Sequence, residues 1–134
     1  MRCGLLLSGA KYTWDNHPLN GVEDGILTAY EVSNLYLPNT QLVVLSACET
    51  GLGELHGAEG VYGLQRAFKM AGAQYLLMSL WKVPDPETAE FMQLFYENLL
   101  NRNPIAVAFY LTQTTMKHRY PKEPYKWAAW ILVK

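Results

Sequence analysis

The sequence predicts an α/β layer fold with a largely parallel sheet, and three observations carry that expectation. The apolar runs "LVVLS" (42–46) and "YLLMSLW" (75–81) lack alternation and read as strands covered on both faces. Segments with helical periodicity lie between and after them, so strand and helix alternate along the chain. The 134 residues are 50% hydrophobic and 17% charged, which suits one compact domain or a piece of one.

Taken in order, "GLLLS" (4–8) is a short strand, and the following "GAKYTWDNHPLNGVEDG" is dense in turn residues and reads as a loop. "ILTAYEVSNLYL" holds a short helix, with Thr28 as N-cap and Glu31 at the capping-box spacing. Pro38 and Asn39 end it. After the strand at 42–46 comes a glycine-rich loop from Cys48 to Glu59. "GVYGLQRAFKMAGA" then places Val61, Leu64, Ala67, Phe68 and Ala71 on one helical face, with Gly72 as C-cap.

The strand at 75–81 follows. "DPETAEFMQLFYENLLNRN" starts a helix with Asp85 as N-cap and Pro86 at its first position. Its apolar face is assigned to Ala89, Met92, Phe95, Tyr96 and Leu99. Asn103-Pro104 opens a further helix with Ile105, Ala108, Leu111 and Thr115 inward and a basic end, Lys117-His118-Arg119. "YKWAAWILV" closes the chain as a strand.

Composition excludes several functions. The net charge is −1 and there is no Lys/Arg block, so the electrostatic footprint of nucleic-acid binding is missing. No apolar run is long enough to span a membrane, and "GLLL" is too short for the core of a signal peptide. Cys3 and Cys48 could form one disulfide, but two cysteines are too few for a disulfide framework; a reducing, cytoplasmic setting is the expectation. "TGLGELHGAEG" lacks the G-K-[ST] of a phosphate loop, and scattered His and Cys lack metal spacing. No cofactor and no metal are expected.

Functional residues of parallel sheets gather at the carboxyl ends of strands, where Cys48 stands. A cysteine is often a small buried hydrophobe, but Ser46 and Ala47 before it and the glycine-rich loop behind it leave room for a substrate backbone. Both readings remain open on pattern. A base is harder to find. His17 lies in a polar loop, His56 in the loop after Cys48 and His118 in a basic helix end; none follows an apolar strand into a glycine. Asp85 reads first as a helix cap and second as an acceptor for a basic substrate side chain. Trp81, at the end of the neighbouring strand, reads as packing or as a crevice wall.

Several stretches in a fixed order carry a family resemblance: "GLLLSGA", "EDGILTAYEVSNL", "QLVVLSACETGLG", "GAEGVYGLQRAF", "SLWKVPDPETAEFMQLFY" and "WAAWILV". Together they resemble the C-terminal part of CHAT domains, caspase-like and separase-like cysteine peptidase domains often found beside tetratricopeptide repeats. The resemblance implies a three-layer caspase-like α/β/α sandwich, with its N-terminal strands missing here, and peptide-bond hydrolysis by a His-Cys dyad. It makes Cys48 of the "SAC-x-TG" element the nucleophile. Asp85 of "WKVPD" matches the separase aspartate that accepts a Lys or Arg side chain, with Trp81 beside it.

The dyad histidine of the family stands in an "ATHG"-type element ahead of "GLLLSGA", which this sequence does not contain. Two functions follow as expectations. One is the nucleophile-bearing portion of a cysteine endopeptidase, inactive as an isolated chain. The other is a non-catalytic module that self-associates or docks on a tetratricopeptide-repeat region.

Overall fold

In a computed structural model the described residues are 4–8, 10–11, 24–46 and 57–134, with 57–61 described by their backbone alone. The chain divides into two compact units, residues 1–40 with 49–73 and residues 41–48 with 74–134.

In the first unit, β1 (Gly4–Leu6) pairs antiparallel with β2 (Ile26–Thr28). A side chain at position 4 would bring a Cβ to 2.7 Å from the Leu27 carbonyl oxygen, so the pairing itself demands Gly4. Thr28 ends β2 and caps α1 (Ala29–Ser33). The Glu31 backbone N–H donates to Thr28 Oγ1 at 3.2 Å, and the Thr28 N–H donates to the Glu31 carboxylate at 2.7 Å. The capping box expected from the sequence is therefore present. The helix is shorter than "ILTAYEVSNLYL", because Ile26 and Leu27 are taken up by the ladder with β1.

The long helix α2 (Gly57–Ala71) packs against α1. Leu64, Ala67, Phe68 and Ala71 are buried as the periodicity required, and Val32 of α1 is buried as well. Val61 lies outside the described side chains. Gly72 ends α2 with φ 111°, and the chain closes a Schellman motif: the Gly72 N–H donates to the Lys69 carbonyl and the Ala73 N–H to the Phe68 carbonyl, both at 3.1 Å.

The second unit is built on a sheet in the order β3 (Leu42–Leu45), β4 (Tyr75–Ser79), β5 (Trp130–Val133). β3 and β4 are parallel, with Leu42 opposite Tyr75 and Leu45 opposite Met78. β5 runs antiparallel to β4. The expected largely parallel sheet thus holds for β3–β4 alone among the described ladders. The reason lies in the connection. A single crossover helix returns the chain to where a strand began, whereas α3 (Asp85–Leu100) followed by α4 (Ile105–Arg119) returns it to where β4 ended. The chain can then only run back down the sheet.

β4 is central and buried, and Leu77 joins Val83, Phe91, Phe95, Ala108, Met116, Ala129 and Trp130 in one apolar core. The rings of Phe91 and Trp130 stack at 4.8 Å, and Phe109 meets Phe91 edge-on at 6.2 Å.

Both helices keep part of the expected face, with Phe95 and Ala108 buried and Met92, Leu99 and Ile105 packed against the core, but each is rotated from the rest of it. In α3 the buried residues are Phe91 and Phe95, while Ala89 and Tyr96 are exposed. Tyrosine at position 96 keeps its hydroxyl in water, so an apolar stripe counted through it points the wrong way. In α4 the buried line is Ala108, Thr112 and Met116, with Leu111 turned outward. Thr112 is tolerated inside because its hydroxyl donates to the Ala108 carbonyl at 2.8 Å and accepts from Asn98 Nδ2 of α3 at 3.1 Å.

Candidate functional site: the carboxyl edge of β3 and β4

Because β3 and β4 are adjacent and parallel, their carboxyl ends leave the sheet at the same edge. Open α/β sheets place ligands at such edges. β3 ends at Leu45, Ser46 follows it, and Cys48 stands two positions after Ser46 in the sequence. Cys48 lies outside the described residues, as do Cys3, His17 and His56. The structure therefore brings the end of β4 to the expected edge but does not place the thiol.

The exit from β4 is firmly held. The Leu80 N–H donates to the Ala129 carbonyl at 2.9 Å, extending the ladder one step past the strand. Trp81 is 40% exposed, and its indole Nε1–H donates to the Tyr125 carbonyl at 2.9 Å. The indole edge is thus anchored by the protein while part of the ring faces solvent, so Trp81 is not a core residue. Val83 is buried in the apolar core and fixes the middle of the segment.

Asp85 is not the N-cap of α3. That position is Pro84, which has no side chain able to cap, and Asp85 is the first helical residue. Pro84 holds the extended backbone that precedes the helix, and Pro86 fits the first turn, where an N–H is dispensable. Asp85 is exposed and makes no side-chain hydrogen bond or ion pair among the described residues. With Glu87 it forms an acidic first turn, which complements the positive end of the helix dipole. Its carboxylate is thus available to a basic side chain arriving from solvent.

A polar network supports Trp81 from behind, and the sequence pattern does not reveal it. Tyr125 lies in a short 3-10 turn, Pro124–Lys126. Lys126 Nζ is 2.9 Å from Glu87 of α3 and 3.1 Å from Glu123, and it sits 4.7 Å from the centre of the Tyr120 ring. The hydrogen bond to Glu87, then that to Glu123, pushes the Lys126 ammonium pKa far above its ordinary value. In return, the Lys126 hydrogen bond holds the Glu87 carboxyl below its ordinary range.

Glu90, one turn further along α3, accepts from the Tyr120 hydroxyl at 2.7 Å and pairs with Arg119. The Tyr120 hydrogen bond, with Arg119 assisting, lowers the Glu90 pKa. These contacts tie the turn to α3 and so place the carbonyl that orients Trp81. The spacing Glu123 to Lys126 is the available sequence signal, but Glu87 lies too distant along the chain for pattern reading.

His118, the described histidine, is at the exposed end of α4, with Nδ1 2.8 Å from the Thr114 carbonyl. It belongs to the helix end, as its sequence context indicates. Among the described residues no cluster of potential metal ligands forms, and no helix is long and apolar enough to cross a membrane.

Comparison with known proteins adds the family. Residues 1–134 match the family model described as the CHAT domain. Two curated relatives are both called tetratricopeptide repeat protein 28. The human protein is 34% identical over 116 residues, covering 84% of this chain, and the mouse protein is 34% identical over 112 residues, covering 81%. In each case the match spans 4% of the relative's own length. No solved structure matches the chain. The motif order read from the sequence and the match along its full length make one conclusion: the chain belongs to the CHAT domain family.

Proposed function

We propose that this chain is the nucleophile-bearing part of a cysteine endopeptidase that cuts after Lys or Arg, with Cys48 as nucleophile and Asp85 and Trp81 contacting the substrate. The observation that carries this reading is the family match along the whole chain, which includes the "SAC-x-TG" element around Cys48. The parallel pairing of β3 with β4 supports it, because the two segments bearing these residues leave the sheet at one edge. The caspase-like three-layer arrangement is part of the same proposal.

In this mechanism an imidazole takes the Cys48 thiol proton, and the sulfur forms a bond to the scissile carbonyl carbon. The Cys48 backbone N–H helps to hold the resulting oxyanion. As the carbon–nitrogen bond breaks, the imidazolium returns the proton to the leaving amine, and water then releases the acyl group from sulfur. The free carboxylate of Asp85 receives the basic side chain preceding the cut bond, and the exposed part of the Trp81 ring packs along its aliphatic stem.

None of the three histidines follows an apolar strand into a glycine as the family's element does (His56 precedes Gly57, but in a loop), so in this reading the imidazole comes from a segment or partner outside these 134 residues. A peptide-based thiol electrophile with Arg in its first position tests the assignment. Labelling of the wild type and none of Cys48→Ala is expected, and equal labelling of both rejects it. No turnover of a Lys/Arg peptide by the chain alone is expected.

A second reading is favoured by the relatives' name and by the exposed aromatic surface, including Tyr30 and Tyr36. It is a non-catalytic module docking on a repeat region or on a second copy. Light scattering after size exclusion tests it, since a stable monomer that ignores added repeat protein would count against it.

A further inference from the structure

Helix α4 is apolar on both of its sides. Ala108, Thr112 and Met116 are buried, yet Val107, Tyr110 and Leu111 on the outward side are 42%, 67% and 38% exposed. A helix that meets its own protein on one side only should carry polar residues outward. Beside the C-terminal half of this face lies an open groove of about 390 Å³, lined by Tyr110, Gln113, Thr114, Lys117, His118 and Trp127. That volume is within the range of about 300–1,000 Å³ that accommodates a small ligand or a few side chains.

The charges around the groove are uneven. Arg119 is neutralised by Glu90, and Lys126 by Glu87 and Glu123. Lys117, which lines the groove, has no carboxylate partner among the described residues, and the groove lining contains no acid. Lys117 Nζ lies 5.9 Å from the Trp127 ring centre, so cation and aromatic surface are presented together. His118 Nδ1–H donates to the Thr114 carbonyl, which leaves Nε2 to accept a backbone or side-chain N–H of a bound segment.

We propose that this groove is a docking site for an acidic, apolar peptide segment of another protein. A carboxylate of the segment pairs with Lys117, and one apolar or aromatic side chain enters between Tyr110 and Trp127. Charge complementarity selects this occupant. Nucleic acid is disfavoured because a phosphate backbone needs a track of several cations, and the groove lining holds a single lysine, Lys117. The site lies in the second unit and its argument does not involve Cys48, so it stands or falls apart from the peptidase reading.

The test is fluorescence anisotropy of the full chain with a labelled peptide that alternates Glu with Leu and Phe. The same peptide with Lys in place of Glu, an RNA oligonucleotide and light scattering of the free protein serve as comparisons. Binding of the Glu peptide is expected, weakening as salt rises. At least a tenfold loss is expected in both Lys117→Glu and Tyr110→Ala, and none in Tyr36→Ala, with circular dichroism confirming each fold. Equal binding of the Lys peptide, preferential binding of RNA, wild-type affinity in both groove variants, or a dimer that these two substitutions dissolve would overturn the proposal. Repeating the measurement in Cys48→Ala should leave the affinity unchanged.

Discussion

Gly72 shows how much one residue can decide. Its φ of 111° is a conformation that L side chains rarely adopt, and a Cβ there would lie 3.1 Å from the Leu37 carbonyl carbon and oxygen. The Schellman motif needs that backbone, and the close approach of Leu37 and Pro38 leaves no side-chain volume beside it. Gly72→Ala should therefore lower stability by about 1–3 kcal/mol, the usual cost of strain in this region. Urea denaturation would measure it, and an unchanged midpoint would show that the turn relaxes freely. This residue is legible in sequence because helices commonly end on a glycine placed directly after the apolar stripe. Asp85 is harder to read because Pro84 and Asp85 both fit a helix start, and nothing local distinguishes a cap from a first-turn acid. Cys48 owes its assignment to motif order and not to geometry.

At the scale of elements, Phe91 is the residue on which the second unit converges. It is fully buried, stacked on Trp130 of β5 and met edge-on by Phe109 of α4, so it joins α3 to both neighbours. Phe91→Ala should cost about 3–5 kcal/mol, the range for removing a large buried aromatic ring. Thermal unfolding would report it as a large drop in midpoint, whereas Tyr96→Ala on the exposed face of the same helix should cost far less. The contrast also marks what sequence can tell. The existence and order of α2, α3, α4 and the strands at 42–46 and 75–81 are legible, because continuous apolar runs and helical periodicity are local signals. The rotation of α3 and α4 is not. It depends on Asn98 bonding to Thr112 across the helix pair, which lets a polar residue replace an apolar one inside. The reversal of β5 against β4 likewise follows from two helices forming one connection, and their tertiary pairing decides it.

For the whole molecule, the described ionisable groups predict how stability varies with pH. Glu31, Glu87 and Glu90 all have lowered pKa values, through hydrogen bonds from Thr28, Lys126 and Tyr120 respectively. An acid with a depressed folded-state pKa binds fewer protons when folded, so its contribution is present above the unfolded value of about 4.3 and is lost as pH falls through the folded value. Lys126 and Tyr120 shift upward, through hydrogen bonds with Glu87 and Glu90, so their contributions are present below their unfolded values and vanish as pH rises through the folded ones. Together these shifts predict a plateau between roughly pH 5 and pH 9, falling on both sides. Lys126→Met removes the ammonium from Glu87 and Glu123 at once. Urea midpoints of this variant should be lower than wild type at pH 7, and the gap should narrow at pH 3, where the carboxylates are protonated in both proteins. The same substitution loosens the turn whose Tyr125 carbonyl holds the Trp81 indole, so its tryptophan emission should shift to the red at pH 7. A gap that stays constant from pH 7 to pH 3 would mean that Lys126 acts through packing over Tyr120 and not through its charge.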